Sequence, residues 1–416
     1  MGLFDKFKKN TVPERVNGAA MLFCPLPDCG KVLEQIEELF QLAHGEGGNN
    51  ITLRQDDMEI IFLTASPEES GENAQYAKEQ LQGVAGYVYH NETPLLEIKR
   101  SLFYHLRQCK SLVQVVYSFD SSGPRETKEK EKQVMAPIFA VTEKLQGVIT
   151  FGDGMTLQNG KGQVILDKAG KSELEYYMPA ELPLPDDWVK DAPPESVERR
   201  NKSMELLRER HIYVTPWLPL LWEKAEEPGR SVEEVCGRAA ALLILSLYSE
   251  CRVGDHLSYE KAREFVAPIL EGYGAEGYFS PEEKKYLDNP DSTEKEQIQF
   301  AWQYENLWVM EWALGLTDDL FWPDRICDVP GSVRLMKKYP TMEALLGAAQ
   351  LRPRRELLEQ ADLIYRLHWA CVDARVMGMP APWKVEAGVV MERHHALFWL
   401  AGCDEMCPWD EVDLST

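Results

Sequence analysis

The spacing of apolar positions changes character once along the chain. From residue 18 to about 180, strand-like runs alternate with stretches of three- and four-residue helical spacing. "AAMLFCPL" reads as a strand and "CGKVLEQIEELFQLA" as an amphipathic helix, followed by short strands at "NITLRQ" and "MEIIFLT". "SPEE" at Ser66–Glu69 has the form of a capping box with proline at the first helical position, so a helix is expected from there through Tyr89. A second helix over 94–109 precedes "SLVQVVYSF", whose unbroken β-rich run predicts a buried strand. A charged helix from about Glu126, a strand at "GVITF" and a hairpin around Asn159-Gly160 in "TLQNGKGQVIL" complete this half. Interleaved elements of this kind predict an α+β layered domain over 18–180, with residues 1–17 as a tail.

The stretch "PAELPLPDDWVKDAPPE" is dense in proline and acid, which marks 181–195 as a linker. Beyond it the pattern is helical, predicting an all-α domain over 196–416. Capping boxes are expected at Ser231–Glu234, at Ser280–Glu283 and over Asp291–Glu294. "TEKEQIQFAWQYENLWVMEWALG" reads as one long helix closed by Gly315, and further helices are expected at 361–378 and about 387–401.

Composition narrows the classes. Net charge is −23, and it is shared: residues 1–200 hold 22 basic against 31 acidic side chains (−9), residues 201–416 hold 23 against 37 (−14). Phosphate backbones are bound through Lys and Arg, so nucleic acid is excluded as a partner and a basic protein is favoured. Nine widely spread cysteines, an odd number, indicate reduced thiols and a cytoplasmic location. The most apolar stretch, "AAALLILSLY", is far shorter than the ~20 residues of a membrane helix, so no stable membrane insertion is expected. The amphipathic start "MGLFDKFKK" reads as a frayed terminus, and Lys6 breaks the myristoylation pattern.

The chemistry concentrates in "ADLIYRLHWACVDARVMG", where apolar residues occupy every helical face yet Asp362, Arg366, His368, Asp373 and Arg375 are threaded among them. Asp362, Arg366 and Asp373 align as an acid–base–acid column. Glu392, Arg393 and His394 lie in the next helix, and Glu305 falls on the stripe Ile298, Trp302, Val309, Trp312. A buried charge without a partner costs several kcal/mol. The acids are therefore expected to pair with Arg366, Arg375, Arg393 and Arg352 in an internal network.

These words carry a resemblance. "WQYENLWVMEWALGL", "DLIYRLHWACVDARVMG", "VVMERHHALFWLAG" and "PWDEVDLST", with "RRNKSMELLRERHIYVTPWLP" before them, resemble the bacterial family called domain of unknown function 4272 over roughly residues 195–416. The resemblance makes Trp302, Glu305, Trp312, Asp362, Arg366, His368, Trp369, Arg375, Glu392, Arg393, His394 and Trp399 motif positions. Trp409 and Asp410 fall in the family's closing motif, and His395 sits where the pattern is loose. The family brings no established activity.

Other chemistries find little support. The glycines of "FGDGMTLQNGKG" lack G-x-x-x-x-G-K-[ST] and precede a strand, so they read as turn glycines. Glu392 and His395 form one E-x-x-H pair, but a carboxylate-bridged metal site needs two. Cys403 with Cys407, and Cys24 with Cys29, have permissive spacings, so no metal and no cofactor is expected. His368 and Cys371 share a helix face and could pair for nucleophilic chemistry, but a cysteine between Ala370 and Val372 reads as packing, and no G-x-S-x-G elbow is present. The leading reading is a protein-binding module, toxin-neutralising or regulatory in kind, whose charged cluster is structural. The alternative is an acid–base enzyme of hydrolase type using Glu305, His368 and Glu392.

Overall fold

The computed structural model describes residues 13–42, 49–152, 154–221, 229–402 and 406–416. They fall into two compact units, Met1–Pro183 and Leu184–Thr416.

The first unit runs β1 (Glu14–Cys24), α1 (Cys29–Phe40), β2 (Asn50–Gln55), β3 (Met58–Ala65), α2 (Glu72–His90), α3 (Leu96–Gln108), β4 (Ser111–Ser121), α4 (Pro124–Lys144), β5 (Val148–Phe151), β6 (Leu157–Gln158) and β7 (Val164–Leu166). The strands form one antiparallel sheet in the order β2-β3-β4-β1-β5-β6-β7, confirming the α+β class. β1 and β4 pair along their whole length, from Glu14 opposite Ser121 to Cys24 opposite Ser111. Side-chain alternation divides their residues between two cores. Leu22, Val113 and Val115 face α1 and α4, whereas Phe23 and Leu112 face α2 and α3. Coverage on both faces is why β4 reads as a continuous apolar run.

Three expectations need correction here. β1 starts at Glu14, so part of the expected 1–17 tail is a strand, because its backbone completes the ladder with β4. The amphipathic start itself lies outside the described residues. Ser66–Glu69 does not cap a helix: α2 begins at Glu72, after Gly71. Ser66 is buried, with its hydroxyl between the carbonyls of Pro27 (3.0 Å) and Lys110 (3.1 Å), and it accepts only from the nearby Glu68 N–H. Two carbonyls from distant parts of the chain, both within reach of this one hydroxyl, outweigh a helix start. The β6–β7 hairpin forms, but its left-handed residue is Gly162 (φ 75°) rather than Gly160. Gly160 is there for space, since a Cβ would lie 2.5 Å from the backbone of Glu143.

The second unit is all helical: α5 (Asp186–Val189), α6 (Pro194–Glu209), α7 (Val232–Val253), α8 (Tyr259–Tyr273), α9 (Pro281–Leu287), α10 (Glu294–Ala301), α11 (Gln303–Ala313), α12 (Val329–Met336), α13 (Met342–Ala348), α14 (Arg354–Val376) and α15 (Ala387–Ala401). α7, the "AAALLILSLY" helix, is buried on every side from Val235 to Ser246. That explains an apolar run too short for a membrane, and no described helix is long and apolar enough to cross one. The capping boxes at Ser231/Glu234 and Ser280/Glu283 form as expected. The third is displaced by two residues, to Thr293/Glu296, because the Asn289 side chain already caps the Asp291 N–H in a turn.

The long helix expected up to Gly315 is two helices. The chain tightens at Trp302, where Glu305 N–H bonds the Trp302 carbonyl three residues back, and the Trp302 ring lies over Gly388 of α15. The break shifts the helical phase. Ile298, on the predicted apolar stripe, is 44% exposed, while Glu305 and Asn306 turn inward.

Candidate functional site

The charged words lie on α11, α14 and α15, with α15 packed against both of the others. One turn of α14 separates Asp362 from Arg366, and both are fully buried. Their contact is a two-pronged fork, Nε to Oδ2 at 2.9 Å and Nη2 to Oδ1 at 2.8 Å, the strongest geometry for this pair. Arg366 Nη2 also reaches the Pro219 carbonyl at 3.4 Å. The column stops being sealed beyond this pair: Asp373 is half-buried and Arg375 exposed, because the last turn of α14 leaves the core and Val376 is 78% exposed.

Glu305 and Arg393 make the second buried pair, Nε to Oε2 at 3.3 Å. The other Glu305 oxygen accepts the Cys327 N–H, and Arg393 Nη1 donates to the Phe321 carbonyl at 2.6 Å. The guanidinium also lies over the Phe321 ring, 4.7 Å from its centre. One ion pair thereby holds α11, α15 and the loop between α11 and α12 together.

Glu392 departs from the expected matching of acid with base. Its carboxylate meets the amides of Asn306 (2.6 Å) and Gln303 (3.4 Å) rather than an arginine. Burial pushes the carboxyl up to about 7; the Asn306 hydrogen bond opposes this and the charge of Glu305 adds to it. Arg352, expected as a further partner, pairs with Glu356 at 3.1 Å and donates to the Trp312 carbonyl.

His368 and His394 face each other, Nδ1 to Nδ1 at 2.7 Å, so one ring donates and the other accepts. Burial, and then the charge of Arg375, lowers His368 to about 4. Burial also lowers His394, to about 2, with His368 and His395 adding to it. Both rings are neutral near pH 7, and His394 packs edge-on against Phe398 with centres 4.0 Å apart. His395 turns elsewhere, donating through Nε2 to the Trp409 carbonyl at 2.8 Å. Glu392 and His395 therefore serve different partners. Among the described residues no group of three or more His, Cys, Asp or Glu could hold a metal ion. Cys403 lies outside the described residues. Cys24 is a core thiol 3.0 Å from the Ser111 hydroxyl, and burial raises both it and Cys29.

The motif order fits this geometry, and the family model described as Domain of unknown function (DUF4272) matches residues 199–412. The chain belongs to this family. No curated protein and no solved structure matches it.

The DUF4272 motif positions are therefore mostly interior. Asp362, Arg366, Glu305, Arg393, Glu392 and His394 are all 7% exposed or less, and His368 is 8% exposed. A cavity of about 350 Å³ in this unit is lined by Trp312, Asp318, Arg352, Glu356 and their neighbours, and none of those buried groups borders it. The closing motif is part of the same construction. Trp409 meets the edge of Trp399 at 5.6 Å, and Arg230 and Arg238 lie over the two indoles at 4.3 and 4.4 Å.

Several buried charges escaped sequence reasoning, Arg238 and Glu311 among them. Arg238 pairs with Glu283, and an arginine placed directly before the apolar run of α7 was the signal for it. Glu311 is fully buried with, among the described residues, only the Ser332 hydroxyl (2.8 Å) as hydrogen-bond partner, so desolvation carries its carboxyl to about 8. Nothing in "WVMEWALG" separates that glutamate from a surface one.

Proposed function

We propose that this chain is a non-catalytic binding protein, regulatory or toxin-neutralising in kind, whose buried charges form the framework of its helical unit. The observation that carries this reading is the closure of the candidate catalytic groups. Glu305, His368 and Glu392 are 2, 8 and 7% exposed, and each is engaged by a different protein partner. A catalytic acid or base must come within hydrogen-bond reach of a substrate, and burial to this degree among protein partners disfavours that. The net charge of −23 favours a basic protein as partner. The eight described cysteines are all free, which supports a reducing, cytoplasmic setting. We further propose 181–195 as the linker between independently folding domains, so limited proteolysis of the full chain is expected to cut there and leave two folded fragments.

The acid–base enzyme keeps one observation in its favour. Glu392, at about 7, is poised where a general acid or base works. A pull-down on the full chain, with metabolite profiling of the same protein, separates the two readings. Binding predicts a stoichiometric basic partner released as salt is raised, with no metabolite consumed. Consumption of a metabolite by the wild type but not by Glu392→Gln would replace it with the enzyme reading.

A further inference from the structure

In the first unit a groove of about 460 Å³ opens between α2 and α3, beside the turns that follow β3 and precede β4. Its floor is apolar: Leu81, Ala85 and Leu106 are buried beneath it, and Tyr89, half exposed, stands against Phe103 with ring centres 5.6 Å apart. The volume falls in the range of pockets that hold small organic molecules.

Gly86 shapes the groove. A glycine inside a helix costs about 1 kcal/mol against alanine and normally marks a close approach by another part of the chain. Here a Cβ would meet nothing within 4 Å, so no packing within the fold requires the glycine. Its missing side chain instead widens the groove.

The rim is cationic. Lys78, Arg107 and Lys110 border it against a single acid, Glu68, in a half of the chain whose net charge is negative. All three cations are exposed, and among the described residues none is held in an ion pair. Arg107 lies in the last turn of α3, where a cation also complements the helix end. Lys78 and Lys110 have no such reason. Lys110 has a fixed backbone, its N–H bonded to the Cys24 carbonyl (2.9 Å) and its carbonyl to the Ser66 hydroxyl (3.1 Å), so the root of its side chain is anchored beside the groove.

We propose that this groove binds a small anionic amphiphile, an apolar body with one carboxylate-like head, taken from solution. The body covers Gly86 and the Tyr89–Phe103 wall, and the head sits among Lys78, Arg107 and Lys110. The free molecule is favoured over a lipid surface because the acidic chain is repelled by an anionic bilayer.

Calorimetric titration of the full chain with monomeric decanoate, and with 1-decanol as its neutral counterpart, tests this. Decanoate binds with a stoichiometry near one, and Gly86→Leu weakens it by about tenfold or more by filling the groove. Gly83→Leu is the control: Gly83 is also in α2 with open space at its Cβ but does not border the groove, so binding is retained. Lys78→Gln with Lys110→Gln weakens decanoate by about fivefold and leaves decanol unchanged. Absence of decanoate binding, or equal loss with Gly83→Leu and Gly86→Leu, overturns the proposal. So does binding confined to vesicles of mixed phosphatidylcholine and phosphatidylglycerol, which would assign the groove to a membrane surface.

Discussion

The two units solve the problem of specifying a core in different ways. The sheet unit builds two apolar slabs, and its ion pairs lie at the edges, as with Lys130 between Asp57 and Glu126. Among the described residues Arg100 is its one fully buried ion, next to the partly exposed Glu97. The helical unit buries acids and bases in its middle: Asp362–Arg366, Glu305–Arg393, Arg238–Glu283, and Glu311 and Glu392, which meet neutral side chains. In a sheet the backbone ladder dictates which strands meet and in what register, so the side chains need only supply area. Helices satisfy their backbones internally, and similar apolar faces can pack in several ways. Buried charges penalise every arrangement that leaves one unpaired, and we take this as their role here.

That contrast can be broken by substitution, most strongly at the clamp. Arg393→Met leaves Glu305 buried without its cation and frees the Phe321 carbonyl, so the helical unit should lose about 3–5 kcal/mol. Every tryptophan of the chain lies at or beyond Trp188, so tryptophan fluorescence during urea denaturation reads this unit alone. In the sheet unit a comparable loss requires a cavity instead. Phe62→Ala, at a fully buried position, should cost about 3–4 kcal/mol, measured by hydrogen exchange across β3 and β4. The tryptophan transition should stay in place.

A pH series sharpens the comparison at intermediate size. Glu311 and Glu392 have folded-state values raised from 4.5 to about 8 and about 7, so the native state holds more protons than the unfolded chain across those windows. Their contribution to stability therefore falls as pH rises from 4.5, and its loss is complete above the folded values. His368 works oppositely: lowered from 6.5 to about 4, it removes stability as pH falls below 6.5. The helical unit should be most stable in mildly acidic solution. Glu311→Gln should flatten the alkaline limb and raise stability near pH 8 by on the order of 2 kcal/mol, followed by the same fluorescence. An unchanged alkaline limb would mean that Glu311 is ionised in the native state. The smallest effect belongs to a local device. Ser231→Ala removes one half of the α7 capping box and should cost about 1 kcal/mol in the same assay.

How much was legible follows the range of each interaction. Strand alternation and the S-x-x-E boxes of α7 and α9 are local, and the Asp362–Arg366 fork is one turn long, so spacing exposed all of them. The break at Trp302 carries neither glycine nor proline, and it arises from packing against Gly388, 86 positions away. The partner of Glu392 is the neutral amide of Asn306, equally distant in sequence and without a charge to pair in a count of acids and bases. Ser66 had the letters of a cap, but its hydroxyl was needed by two carbonyls from other parts of the chain. Local grammar thus outlined the elements, and the long-range hydrogen bonds that decide the site were hidden from it.

The central claim is that the buried charges hold the helical unit together rather than serve a reaction, and a double-mutant cycle on Asp362 and Arg366 tests it most directly. Arg366→Met alone should destabilise the unit by about 3–5 kcal/mol, because it strands a carboxylate with no exposure to water. Asp362→Leu combined with Arg366→Met should recover most of that loss, since an apolar pair of similar volume strands nothing. A melting temperature for Arg366→Met within error of wild type would contradict the account.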